Sequence, residues 1–205
     1  MIIIFFIIIL IEMEDNRYVV FKSEAKQVVY KQLLNIDDVK DLNDYLIKMI
    51  DNDLVSTNIG TSLVSGKRVH LDIDLKSQNY KDLCINLKVT LRDYFPDLRL
   101  DPNARLYGQS YGSVKPHVDK NHDGVSNYTL LLYLTDDFDD GKLSIKMKRT
   151  FQEMQECETN KFHKVFTFKP LRGYGVIFNK NLLHWASDIL SGMKNFLLIH
   201  FHSNF

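Results

Sequence analysis

Apolar residues recur at helical spacing in "NIDDVKDLNDYLIKMI", at Ile36, Val39, Leu42, Leu46, Met49 and Ile50. This predicts an amphipathic helix with Asp37 or Asp38 as its N-cap. In "SQNYKDLCINLKVTLRDYF", Tyr80, Leu83, Leu87, Leu91 and Tyr94 share one face, and the pattern stops at Phe95-Pro96. Between the two, "KRVHLDIDL" alternates Val69, Leu71, Ile73 and Leu75, as a half-buried strand does. His70 then falls on the opposite face and reads as a surface residue.

After Pro102 the texture changes to short strand-like runs: "ARLYGQ", "YTLLLYL", "KLSIKMK", "KVFTFK", "YGVIF" and "FLLIHFHSNF". Many short strands parted by turn signals predict a sandwich or small barrel. A jelly roll, or cupin-like barrel, belongs to that set and can house a metal at its mouth. "YTLLLYL" and "FLLIHFH" are too apolar for sheet edges and should be central. The stretch "FPDLRLDPNA" is too short to separate domains. Residues 13–100 therefore read as a helical support region with at least one strand, packed on a core formed by residues 101–205.

The first twelve residues stand apart. "MIIIFFIIILIE" is an apolar run of eleven before Glu12, against the ~20 that a spanning helix needs. It lacks the basic start and small-residue cleavage site of a secretory signal. It reads as an extension or tail on a cytoplasmic protein, with membrane attachment as the lesser alternative and no transmembrane segment. The 205 residues carry 26 basic and 26 acidic side chains. That balance offers no electrostatic footprint for nucleic acid. Two cysteines, Cys84 and Cys157, form no disulfide framework and fit a reducing compartment.

The chemistry concentrates in "KPHVDKNH". His117 and Asp119 are i and i+2, so an extended backbone sends both to one face. They are either two surface residues, as most H-x-D triplets are, or two legs of a 2-His-1-carboxylate triad, the arrangement that leaves positions open on Fe(II). His122, at an odd offset in turn-like company, reads as a loop histidine. "NLLHWASDILSGMKNFLLIHFH" offers His184 as the distal ligand and Lys194 ten residues later. Lys194 is either a basic strand cap or a cation waiting in a pocket for a carboxylate.

With these residues in place, the chain resembles the Fe(II)- and 2-oxoglutarate-dependent dioxygenases, in particular their prolyl 4-hydroxylase branch. "LYGQSYGSVKPHVD" is similar to the family's strand leading into H-x-D. "PLRGYGVIFNKNLLHWASDILSGMK" is similar to the branch's P-x-x-G…F…H…G-x-K segment. The likeness spans about Asn103 to His202. It implies an α+β fold, a double-stranded β-helix with N-terminal helical support. It implies Fe(II) on His117, Asp119 and His184, and 2-oxoglutarate as co-substrate, with ascorbate as a candidate addition. Lys194 and Tyr133 would hold the far carboxylate of 2-oxoglutarate, and Tyr107 would touch the same molecule. The expected substrate is a protein or peptide, hydroxylated at a prolyl or other residue, with succinate and CO2 as co-products. One departure is "DDGKL", with Asp140 where the family often has glycine. Another is the long polar stretch "RTFQEMQECETNKF", a substrate-facing loop or a surface excursion.

If Lys194 faces inward, alternation sends Phe196, Leu198, His200 and His202 with it, and Leu197, Ile199 and Phe201 to the other face. His200 is then either a satisfied buried histidine or a group behind the iron, bonded to a ligand or to the bound co-substrate; His202 reads as exposed. The alternatives are a catalytically weak binding protein of the same fold, acting as a decoy of a cellular hydroxylase, a structural zinc barrel, and a nucleic-acid dealkylase. The zinc reading leaves Lys194 and Tyr133 without a task, and the charge balance disfavours the dealkylase. The chain has no P-loop, G-x-S-x-G, Cys-x-x-Cys or H-E-x-x-H.

Overall fold

The computed structural model describes residues 19–21, 28–59, 61, 63–119, 126–148 and 163–203. The N-terminal apolar run, His122, Cys157 and the stretch 149–162 lie outside the described residues. The first hundred residues supply β1 (Val19–Phe21), β2 (Val28–Gln32), α1 (Ile36–Asp51), β3 (Ser56–Ile59), β4 (Lys67–Asp74) and α2 (Lys81–Leu91). The remainder supplies β5 (Arg99–Gln109), β6 (Gly112–His117), β7 (Tyr128–Tyr133), β8 (Asp139–Asp140), β9 (Leu143–Lys148), β10 (His163–Phe168), β11 (Tyr174–Asn179), β12 (Leu183–Ser191) and β13 (Lys194–His202).

Helix α1 keeps the expected face, with Val39, Leu42 and Leu46 buried, but Ile36 at its start is exposed. Its cap is Asn35 rather than Asp37 or Asp38. The Asn35 side chain accepts from the Asp38 amide at 2.8 Å and donates to the Asp38 carboxylate at 2.9 Å. Asp38 is thus the third residue of the helix, closing the cap from inside.

Two antiparallel sheets form a jelly roll. The larger has the order β1-β2-β11-β7-β13-β5-β4-β3; the smaller has β10-β9-β12-β6, with β8 paired to β12. As the apolar runs require, β7 and β13 lie side by side inside the larger sheet. Strands β1 to β4 add to both ends of that sheet, so the first hundred residues complete it as well as covering it.

Both faces of the larger sheet are covered. Leu197, Ile199 and Phe201 of β13, with Leu130 and Leu132 of β7, pack against Leu42 and Leu46 of α1 and Leu87 and Leu91 of α2. Truncating a fully buried leucine in such a core costs about 2–5 kcal/mol. The opposite face carries Tyr133, Val176 and Phe196 against Leu143, Ile145 and Met147 of the smaller sheet. Between the sheets, toward β6 and β12, this second core opens into a pocket. Among the described residues no helix is long and apolar enough to cross a membrane.

Candidate active site

Register brings the two histidines together. His117, the last residue of β6, is the cross-strand partner of His184 on β12, and their rings lie 4.2 Å apart. Asp119 follows two residues later, anchored by its amide to the Lys180 carbonyl at 3.0 Å. Its Oδ1 lies 3.6 Å from Nε2 of His117 and 3.6 Å from Nε2 of His184. These separations are too long for good hydrogen bonds. They suit ligand atoms facing one ion, since two atoms at ~2.1 Å from a metal are at most ~4.2 Å apart.

Each candidate ligand atom is left open because the neighbouring atom of its own side chain is tied down. Nδ1 of His117 meets the Lys115 carbonyl at 2.8 Å, and Nδ1 of His184 meets the Leu182 carbonyl at 2.9 Å. A carbonyl only accepts, so both rings carry their proton on Nδ1 and present a bare Nε2. Thr129 of β7 donates to Oδ2 of Asp119 at 2.6 Å, leaving Oδ1 toward the histidines. The Thr129 oxygen lies 3.2 Å from Nδ1 of His200. Having given its one proton to Asp119, Thr129 accepts from His200. His200 therefore lies on the inner face of β13 and acts on Asp119 through Thr129.

Burial pushes the Asp119 carboxyl upward, but the adjacent His117, the nearby His184 and the Thr129 hydroxyl outweigh it and hold the group at about 2. The Asp119 carboxylate lifts His117. Burial instead lowers His184, which is 5% exposed and packed on Phe178. A neutral imidazole beside an ionised carboxylate is the donor set a divalent ion needs.

The pocket runs between this cluster and Lys194. Its walls include Leu131, Leu143, Phe178, Trp185, Phe196 and Leu198, with Arg68 and Lys194 as its cations. About 80 Å³ is open to the centres of water molecules, against ~10–15 Å³ for one water, so a small organic acid has room. Lys194 is 6% exposed. Its ammonium donates to the Gly141 carbonyl and lies 5.5 Å from the centre of the Tyr133 ring. Burial, then repulsion from Arg68, pulls it down to about 7, against an opposing pull from Asp140. The Tyr133 hydroxyl is wholly buried and, among the described residues, has no hydrogen-bond partner.

The turn that holds the Gly141 carbonyl explains the "DDGKL" departure. Asp140 and Gly141 both adopt left-handed backbone, with φ of 63° and 59°. Glycine takes this freely, whereas aspartate does so at some cost. The Asp140 carboxylate accepts from Ser187 at 2.9 Å, which pins the turn to β12.

The structure thus gathers His117, Asp119 and His184 within 4.8 Å of one another. It places Lys194, Phe196 and Leu198 on the pocket wall. Tyr107 stands one layer back, stacked on Phe196 at 5.0 Å and packed against His70, which is half-buried by this contact. His202 is also half-buried. Sequence reasoning missed Thr129, a single hydroxyl in an apolar strand, and Arg68. The alternation of "KRVHLDIDL" could have flagged Arg68, since its face is the one turned from the helices.

No family model matches the chain, and no curated protein matches it by sequence. Solved structures do match. A prolyl-4-hydroxylase from Pseudomonas putida aligns with a TM-score of 0.61 at 13% identity, over 87% of this chain and 94% of that one. A prolyl hydroxylase from Trichoplax adhaerens, in complex with a peptide fragment of the hypoxia inducible factor, gives 0.64 at 11%, over 86% and 84%. A non-heme α-ketoglutarate-dependent carbocyclase of nogalamycin biosynthesis gives 0.64 at 13%, over 89% and 84%. The chain has the jelly-roll fold of the 2-oxoglutarate–Fe(II) oxygenases, prolyl hydroxylases among them.

Proposed function

We propose that this protein is an Fe(II)- and 2-oxoglutarate-dependent dioxygenase that hydroxylates a prolyl or other residue in a protein or peptide. The observation that carries this reading is the pairing of two ends of one pocket. One end presents three free ligand atoms on His117, Asp119 and His184. The other holds the Lys194 ammonium, 5.5 Å from the centre of the Tyr133 ring, whose buried hydroxyl has no hydrogen-bond partner among the described residues. A structural metal site would need only the first. A dicarboxylate co-substrate explains both, because a buried cation and an orphaned hydroxyl are costly until an anion meets them.

In this reading His117, Asp119 and His184 hold the metal, and Lys194 with Tyr133 holds the far carboxylate of 2-oxoglutarate. Tyr107 contributes through Phe196, whose ring it backs. Thr129 and His200 fix the rotamer of Asp119. Phe178, Leu131 and Leu198 keep the reacting end dry. When bound, Fe(II), 2-oxoglutarate and O2 supply the oxidising power for a C–H bond, releasing succinate and CO2. The peptide in the Trichoplax structure supports a peptide substrate here; the carbocyclase shows that the fold also serves other outcomes. The test is succinate formation from 2-oxoglutarate with Fe(II) and O2, followed by a search of candidate peptides for one added oxygen. Succinate from the native chain and none from Asp119→Asn supports the proposal; none from either refutes it.

A further inference from the structure

Among the described residues, Arg68 is the charged group on the pocket wall for which the proposed chemistry has no use. It sits on β4, in register with Gln109 of β5, which is in register with Lys194 of β13. Gln109 directs its carbonyl oxygen to the guanidinium, accepting from Nε at 3.2 Å and from Nη2 at 2.9 Å. It is itself oriented by donating to the Gly112 carbonyl at 3.1 Å. The rings of Tyr107 and Phe196 support the guanidinium at 5.1 and 5.5 Å. A guanidinium so held is fixed in plane and direction. Two of its five N–H groups are used on a neutral oxygen, and among the described residues the remaining three have no hydrogen-bond partner. Among the described residues no carboxylate pairs with it: Asp72 is taken by Arg105, Asp140 by Ser187 and Lys142, and Asp119 by the triad.

Charge balance shows what is missing. A divalent metal and the two carboxylates of 2-oxoglutarate cancel. Arg68 and Lys194 then stand against Asp119 alone, so the loaded pocket keeps one positive charge. Lys194 and Tyr133 already match the far carboxylate of the co-substrate. We infer that Arg68 binds a carboxylate of the primary substrate, so that this site selects an acid: a free chain terminus or small organic acid, or an acidic side chain in a peptide. The inference rests on the dioxygenase reading for its assignment of Lys194.

The experiment uses the full chain loaded with Mn(II) and 2-oxoglutarate, which bind without turnover. Trp185, the single tryptophan and a pocket residue, reports binding by fluorescence. One arm compares N-acetyl amino acids with their primary amides; the other compares blocked aspartyl dipeptides with their asparaginyl counterparts. Which arm discriminates tells a terminal from a side-chain carboxylate. Charged hydrogen bonds of this kind are worth ~1.5–3 kcal/mol, so the acid should bind about 10–100-fold more tightly than its amide in one arm. Arg68→Gln should erase that ratio and Arg68→Lys should keep part of it, with 2-oxoglutarate affinity and melting temperature little changed in both. Equal binding of acids and amides, or binding of no acid in either arm, overturns the inference. So does a tenfold loss of 2-oxoglutarate affinity in Arg68→Gln, which would give Arg68 to the co-substrate. Failure of the dioxygenase reading looks different: the native chain would not bind 2-oxoglutarate with metal. The acid-against-amide comparison, repeated without metal, would still decide for or against Arg68.

Discussion

Replacing Lys194 by Met removes the buried ammonium while keeping most of its volume. In the ligand-free protein little is lost, since the ammonium's contacts are the Gly141 carbonyl and the faces of Tyr133 and Phe196. Among the described residues no carboxylate forms an ion pair with this buried charge, so an apolar side chain in its place should leave the ligand-free protein as stable or more so. The bound state behaves in the opposite way. The far carboxylate of 2-oxoglutarate would enter a site 6% exposed at Lys194 and find no cation. Stranding one partner of a buried ion pair costs about 3–5 kcal/mol, or roughly two to three and a half decades in affinity. Calorimetric titration with 2-oxoglutarate under anaerobic conditions measures the loss, and metal analysis should show unchanged iron. An affinity within threefold of the native value would refute the role of Lys194. Parallel loss of metal and 2-oxoglutarate would show a collapsed site instead.

Three further outcomes follow from the same geometry. Tyr133→Phe deletes an orphaned buried hydroxyl, so thermal melting should show a ligand-free protein more stable by about 1 kcal/mol while titration shows weaker 2-oxoglutarate binding. Thr129→Val removes the hydrogen bond that orients Asp119 and should weaken metal binding about 10–100-fold by competition with a chelator, with His200→Phe milder because it acts one bond further away. The Lys194 ammonium, held at about 7 against an ordinary 10.5, gives a pH signature. Between those values the unfolded chain binds the extra proton, so ligand-free stability rises from about pH 7 to pH 10 and is lost as pH falls back toward 7. A bound carboxylate restores the proton, so calorimetry in buffers of different ionisation heat should detect about one proton taken up with 2-oxoglutarate near pH 8 and almost none near pH 6.

What the sequence revealed depended on whether a residue's role was local. The runs of β7 and β13 announce themselves because both of their faces are apolar. Strand β12 does not, because "LHWASDILS" mixes polar and apolar positions and its pairing with β6 shifts register twice. H-x-D was legible because a two-residue offset fixes a shared face; His184 could be offered as a distal ligand, but its pairing with His117 could not be read, since no local rule pairs β6 with β12. Arg68 hid in a regular alternation. Its strand has one face on the helices, so the other read as solvent-facing, whereas that other face roofs the pocket. Thr129 was illegible for a related reason: a threonine among leucines reads as β-propensity until Asp119 is seen 2.6 Å away. Asn35 took the cap that Asp37 or Asp38 was expected to hold, because the helix begins two or three residues earlier than a cap at either acidic residue would put it.

The most direct test of the account is a diffraction structure of the full chain grown with Mn(II) and 2-oxoglutarate, with the metal located by its anomalous signal. The account predicts one peak bounded by Nε2 of His117, Oδ1 of Asp119 and Nε2 of His184, and the far carboxylate of 2-oxoglutarate on Lys194 and the Tyr133 hydroxyl. A metal bound elsewhere, or a 2-oxoglutarate whose far carboxylate points away from Lys194, would contradict it.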